Sequence, residues 1–470
     1  MLMRFSVSNF MSFRYEEDKN GNIVPTEFTM YAGRVEQFKE RIVQLKDRKV
    51  LKFAATYGAN AAGKSNLITA LDCGKNIVLF GMNFNEMKIQ YCRCVESNKN
   101  KPTLFEYEFS IEDKCYAYGF TVNLWENKIL SEWLVELENE KEHTIFERDC
   151  ESEEYYFDED MFQSKDNNLQ FHFFMKDANR MKESLLIYEL ERRHLEEKEF
   201  EVFHSIYTWF KKNLVIIYPE TELGESYFRF GSDNKKLVEI LKYFDTGITD
   251  YHMQKLNENA FREYFTNEKL VDDILRKGRK EKRRGKIVLN YKDTLFELDF
   301  DDMNEIFDDM NEIKIFKILF QHGNSEMLYE YGEESDGTRR LIELLEIIMN
   351  DKEGKTFVVD ELDRSLHPQM TKKFVETFFK ASKGLKTQLI TTTHESNLMD
   401  LELLRRDEIW FAERENDHST SLFSLEKFKV RYDKVPAKDY LSGRYGAVPV
   451  FKEFEYVWGN IDEEAEFTNA

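Results

Sequence analysis

At 470 residues, 41% of them hydrophobic, the chain is long enough for two or three domains with a sizeable core, which excludes a wholly disordered protein. A formal charge of −22 works against indiscriminate nucleic-acid binding, so any such surface has to be a local cluster of Lys and Arg. No run of 18 apolar residues occurs and "MLMRFSVSNF" is too polar for a signal peptide, so a cytoplasmic protein without a membrane anchor is expected.

The opening stretch "MRFSVSNFMSF" alternates apolar and polar residues like a half-buried strand, and "KFAATYG" is a second short β run. After Lys64, "SNLITALDCGKNIVLFG" has helical spacing through Leu67, Ala70, Leu71 and Val78. Residues 103–137 are aromatic and β-branched, with turns at "IEDK" and "WENK", and predict successive antiparallel strands. A charged helical tract is expected over 181–212, mostly helix over 235–280 and a hairpin over 286–300. Within this region "RKGRKEKRRGK" (276–286) holds eight basic residues against one Glu; it is either a solvated loop or a dock for a polynucleotide or an acidic protein. The tandem "DDMNEIF", "DDMNEIK" (301–314) lacks the glycine of a calcium loop and suits a solvated helix. Beyond 335, helices alternate with the apolar strands "TFVVD" and "TQLITTTH", the pattern of a parallel sheet covered on both faces. Five cysteines (Cys73, Cys92, Cys94, Cys115, Cys150) show no CxxC spacing, so neither a disulfide framework nor a zinc site is supported; Cys92 and Cys94 would share one face of a strand.

The stretch "YGANAAGKSN" fills the template GxxxxGK[ST] with Gly58, Gly63, Lys64 and Ser65, between a predicted strand and a predicted helix. Glycines let backbone N–H groups face a phosphate, Lys64 reaches the terminal phosphates, and Ser65 can ligate Mg²⁺. The strand "FVVDELD" ends in Asp360, suited to the Mg²⁺ shell, and Glu361, suited to polarise a water. "LITTTHES" brings His394 to another strand end, where it can donate to a terminal phosphate. In "EESDGTRRLIELL", Ser335 and Gly337 open a helix whose N-terminus suits an anion; nothing nearby requires one, which points to a phosphate bound to a second subunit.

In this order, "GANAAGKSNL", "SDGTRR", "VVDELDRSLHP" and "TTTHES" resemble the motifs of ABC-type ATPase heads, in the branch of recombination and structural-maintenance ATPases and the overcoming-lysogenization-defect proteins. The resemblance implies an α/β, ABC-type P-loop head with an antiparallel β subdomain: residues 1–140 and 326–470 would build it around an inserted, mainly helical domain at 141–325. It implies ATP and Mg²⁺, a cradle of Gly58, Ala59, Asn60, Ala61, Ala62, Gly63, Lys64, Ser65 and Asn66, and Asp363 as the acid of the D-loop two residues beyond Glu361. Ser335 and Gly337 would form a reduced signature, in which Asp336 stands where a glycine is usual, and Gln90 is the one candidate for the lid glutamine. "RFSVSNFMSF" and "YLSGRYGAVPVF" (440–451) further resemble stand-alone ATPases of anti-phage abortive-infection operons, including PARIS-like systems. The implied activity is hydrolysis of ATP to ADP and phosphate by a head that forms a homodimer or higher homo-oligomer. Such a subunit would hold and release, or activate, a separate effector nuclease when a phage-encoded trigger appears, because the segment after His394 is too short for a nuclease domain. The alternative is a DNA-repair or DNA-clamping ATPase acting on nucleic acid directly, disfavoured by the acidic balance and the absence of long arms; no membrane role is expected.

Overall fold

The computed structural model describes every residue except 83–84, 139–140, 196, 220–233, 281–285, 301–312, 324–325, 350–353, 429–435 and 449–470. Alternation builds the N-terminal part: β1 (Leu2–Ser8), β2 (Thr26–Thr29), the small ribbon β3 (Val43–Leu45) and β4 (Arg48–Val50), then β5 (Phe53–Tyr57) and α1 (Lys64–Phe80). The aromatic stretch forms β6 (Thr103–Ile111), β7 (Lys114–Asn123) and β8 (Lys128–Glu138), joined by tight turns at the two predicted places. With β9 (Lys141–Asp149) and β10 (Tyr155–Phe157) they make a seven-stranded antiparallel sheet in the order β10-β9-β8-β7-β6-β1-β2.

The central segment is mixed rather than mainly helical. After α2 (Lys165–Arg180), the tract expected over 181–212 is broken into α3 (Leu186–Arg192) and α4 (Glu201–Thr208), which runs into a π turn at Trp209–Asn213. The strand β11 (Leu214–Ile217) follows, then α5 (Asn234–Tyr243), β12 (Ile248–Leu256), α6 (Glu258–Arg262) and α7 (Glu268–Lys280). The expected hairpin is β13 (Lys286–Tyr291) with β14 (Thr294–Asp299); β15 (Lys314–His322) and β16 (Leu328–Tyr329) complete an antiparallel sheet ordered β12-β15-β14-β13, with β16 also on β15. β12 reads as helix because its pattern is weak; what holds it as a strand is pairing with β15 from Ile248–His322 to Leu256–Ile315, a partner distant in sequence. Most of the tandem heptapeptide, and residues 281–285 of the basic run, lie outside the described residues.

The last part alternates as expected: α8 (Asp336–Met349), β17 (Thr356–Val359), α9 (Pro368–Ala381), β18 (Gln388–Thr392), then β19 (Ile409–Arg414), β20 (Thr420–Ser424) and α10 (Pro436–Leu441). The order β11-β17-β18-β5-β19-β20 is parallel except for the edge strand β20. Side chains alternate across this sheet. Ala54, Val358 and Ile390 face the core shared with α1 and the antiparallel sheet; Phe53, Phe357 and Leu389 face the core shared with α5, α8 and α9. Cys92 and Cys94 lie in a loop, the five cysteines are free thiols, and among the described residues no helix is long and apolar enough to cross a membrane.

One buried ion pair fastens the helices to the antiparallel sheet. Arg148 of β9 contacts the Glu132 carboxylate of β8 at 2.8 Å, and both side chains are fully buried. Arg148 also donates to the carbonyls of Ala178 (2.5 Å) and Ser184 (2.9 Å), while Glu132 accepts the Leu186 amide at 2.8 Å and the Tyr118 hydroxyl at 2.8 Å. Removing one partner would leave the other charge buried without compensation. Arg148→Met is therefore expected to lower unfolding free energy by about 3–5 kcal/mol, read from chemical denaturation; a change below about 1 kcal/mol would mean the network is dispensable.

Candidate functional site

In a parallel sheet, ligands gather at the carboxyl ends of the strands. Here four such ends stand side by side: Ile217 pairs with Val359, Val359 with Thr391, and Thr392 with Thr56. The next residues along each strand are Tyr218, Asp360 with Glu361, Thr393 with His394, and the loop from Gly58 to Ser65.

That loop is shaped by contacts behind it. A side chain at Gly58 would place a Cβ 2.5 Å from the Ala412 carbonyl of β19, so only glycine fits the turn out of β5. Ala59 is half-buried, Asn60 and Ala61 are exposed at the tip, and Ala62 and Gly63 are buried where α1 begins. The Thr420 hydroxyl donates to Ala62 O at 2.9 Å and meets the Ser12 hydroxyl at 2.7 Å, which also accepts from Asn66 Nδ2 at 2.7 Å. Ser12 and Thr420 thus brace the loop from opposite ends of the chain, and no short motif marks them. Lys64 is buried, with Nζ donating to Gly58 O (2.9 Å) and Ala59 O (3.1 Å); burial lowers its pKa, opposed by Asp360, Glu361 and Asp363.

Ser65 Oγ donates to Asp360 Oδ1 at 3.1 Å, and Thr392 Oγ1 donates to the same oxygen at 2.5 Å. Hydroxyl and carboxylate oxygens are the donors that Mg²⁺ prefers, and α1's unpaired first-turn amides beside an ammonium suit a polyphosphate, so the residues present fit ATP with Mg²⁺. Glu361 is half-buried and holds φ at +50°, a left-handed conformation uncommon for a non-glycine residue and typical of strained functional positions. Its amide donates to Thr392 Oγ1 at 2.8 Å. His394 is exposed; its amide donates to both Asp363 carboxylate oxygens at 3.2 Å, and burial of the ring, then the charge of Lys64, hold its pKa below the usual imidazole value.

Sequence reasoning passed over Arg340. This buried α8 residue donates to the carbonyls of Asp360 (3.2 Å) and Glu361 (3.4 Å), which ties the helix that opens at Ser335 to the acidic pair. Ser335 and Gly337 do not join the cradle in their own chain. Ser335 Oγ accepts the Thr338 amide at 3.2 Å as a helix cap, and Gly337 lies so close to Ser365 O that a Cβ would come within 2.8 Å. Gln90 does not stand at a strand end: its carbonyl accepts from Met11 N at 2.6 Å, and it lines a cavity of about 290 Å³ with Thr69, Asp72 and Asn76. The place beside Asp360 belongs to Tyr218, whose hydroxyl donates to Asp72 at 3.1 Å. Strand order reveals it; no sequence spacing does.

Among solved structures, the chain is similar to the SMC head domain from Thermotoga maritima, at 13% identity and a TM-score of 0.33 over 90% of this chain and 98% of that one. It is also similar to the Smc head domain with an extended coiled coil bound to the C-terminal domain of ScpA derived from Pyrococcus furiosus, at 13% identity and a TM-score of 0.36 over 94% and 99%. No curated protein matches. Residues 53–400 match the family described as "AAA domain, putative AbiEii toxin, Type IV TA system". That span takes in β5, the cradle, the acidic pair and His394 on one parallel sheet, and the chain belongs to this AAA family.

Proposed function

We propose that the chain binds and hydrolyses ATP as a regulatory switch that joins and separates two heads, within an anti-phage system whose damaging activity resides in a separate effector. The observation that carries the ATPase reading is the hydrogen bond from Ser65 to Asp360 at 3.1 Å, which joins the cradle to the acid at the end of β17. Gly58, Asn60, Gly63 and the first amides of α1 hold the phosphates, and Lys64 turns from the Gly58 and Ala59 carbonyls toward the terminal phosphate. Ser65 and Asp360 hold Mg²⁺, which when bound neutralises phosphate charge. Glu361, fixed through its amide to Thr392, orients and deprotonates the attacking water. His394 stays neutral near pH 7 and donates a hydrogen bond to the terminal phosphate, with Asp363 fixing its backbone.

Ser335 and Gly337 would then serve the cradle of a partner head. Asp336 beside them would repel a phosphate, and Arg339, which pairs with it at 2.6 Å but is shared with Asp293 at 3.1 Å, offsets only part of that charge. ATP bound between two such heads becomes a glue that hydrolysis removes. The defence role draws its support from the family description, which names a toxin–antitoxin system, and from the resemblance of the motifs to abortive-infection ATPases.

Glu361→Gln is expected to bind ATP, to lose hydrolysis by roughly 10²-fold or more, and to elute as a stable dimer with ATP in light-scattering chromatography. Wild-type turnover in this variant would remove Glu361 from the mechanism, and an ATP-independent monomer would remove the switch. Lys64→Ala should abolish nucleotide binding measured calorimetrically; undiminished binding would refute the cradle. Copurification of the tagged chain with and without ATP tests the effector, and severalfold stimulation of turnover by duplex DNA at physiological salt would favour the DNA-clamping alternative.

A further inference from the structure

The loop "EYGEES" (330–335) delivers the chain to the start of α8, and the chemistry above gives it no task. The antiparallel sheet β12–β15 grips it along its length. The Glu330 carboxylate receives Lys317 Nζ of β15 at 2.5 Å and the Thr294 hydroxyl of β14 at 3.2 Å, and Glu334 Oε1 lies 2.8 Å from His322 Nε2 at the end of β15. Between them Tyr331 is buried in the core that joins Val288, Leu295 and Ile318 of the sheet to Leu341 of α8, and its hydroxyl donates to Glu343 at 3.1 Å.

The tightest of these contacts is at Gly332. Its amide donates at 2.8 Å to Asp293 O, in the turn between β13 and β14, and a Cβ on Gly332 would stand 2.5 Å from the Asp293 Cβ. That atom is fixed to the backbone and cannot turn aside, so hairpin and loop would have to part. The φ of Gly332 lies outside the left-handed region; glycine supplies room here, not conformational freedom. Asp293 also holds Arg339 at 3.1 Å, but the Asp293 side chain is 64% exposed, and an exposed pair contributes little. The backbone contact sets where the loop stands. α8 is thus held at two points of different origin, by Arg340 on the carbonyls of the acidic pair and by Gly332 on the β13–β14 turn.

We propose that Gly332 is a positioning residue for the two-head state: packed on Asp293, it sets the exposed Ser335 and the N-terminus of α8 where they meet the ATP of a partner head. Gly332 touches neither nucleotide nor metal; it acts through the short run from Glu333 to Ser335. A loop displaced from the hairpin presents Ser335 out of line while Lys64 and Ser65 of its own chain keep their places, so head pairing weakens and nucleotide binding by the single chain does not.

This assignment rests on the two-head reading, and the test keeps the two apart. In the full chain carrying Glu361→Gln, three variants are compared: G332A, D293G and both together. The dissociation constant of the ATP-bound dimer is read by analytical ultracentrifugation, beside the affinity of the dilute monomer for a fluorescent ATP analogue and the melting temperature. G332A is expected to weaken the dimer about tenfold or more, the worth of one hydrogen bond to a charged phosphate, with analogue affinity within about twofold of the parent and a melting temperature close to it. D293G removes the Cβ that the alanine would strike, suits the φ of +61° at that turn and keeps the carbonyl. Alone it should stay within about threefold of the parent, and combined with G332A it should restore most of the dimer affinity. The proposal is overturned if G332A dimerises as tightly as the parent, if analogue affinity falls in step with dimerisation, if D293G does not rescue G332A, or if G332A fails to fold. A Glu361→Gln parent that stays monomeric with ATP removes the two-head reading and this assignment with it, whereas a parent that dimerises beside an unaltered G332A removes the assignment alone.

Discussion

The parallel register of β17, β18 and β5 is the constraint from which the site follows. Thr392 stands level with Thr56, and Val359 with Thr391, so Asp360, Thr392 and the loop after Tyr57 emerge along one edge. A single oxygen, Asp360 Oδ1, then receives both Ser65 and Thr392. Slipping one strand by a residue would turn its side chains to the opposite face and dissolve this meeting of hydroxyls and carboxylate.

The same edge is held from behind by groups that take no part in chemistry. Thr420 and Ser12 fasten Ala62 and Asn66, Arg340 fastens the carbonyls of the acidic pair, and Gly58 meets the Ala412 carbonyl too closely for any side chain. These contacts run through buried backbone, where an unmade hydrogen bond is costly, and so the loop enters the site already formed. Rigid support and a strained Glu361 are two sides of one arrangement: φ of +50° persists only because Thr392 and Arg340 hold both flanking peptides.

Much of the head was legible in the sequence because its signals are local. The strand, glycine loop and helix around Lys64 follow from composition within a dozen residues, and short apolar runs interleaved with helical spacing announce a parallel sheet. β12 and the break between α3 and α4 were not legible. β12 depends on β15, whose pairing brings burial that the nine residues of β12 do not show by themselves. Gln90 was sought by residue type, yet the strand-end place is set by sheet order, and there Tyr218 stands.

The sequence by itself determined the residue types of the site: a phosphate loop, an acid pair, a histidine and a reduced helix N-terminus, because each chemistry needs particular side chains at short, fixed spacings. Only the tertiary structure decided which of them meet. Lys64, Ser65, Asp360, Glu361, Asp363 and His394 come together through strand order and register, whereas Ser335 and Gly337 stay with α8 and Ser365. It also brought in Ser12, Tyr218, Arg340 and Thr420, whose contacts join segments far apart in the chain. Such contacts leave no periodicity to read, since they depend on where the backbone has been carried.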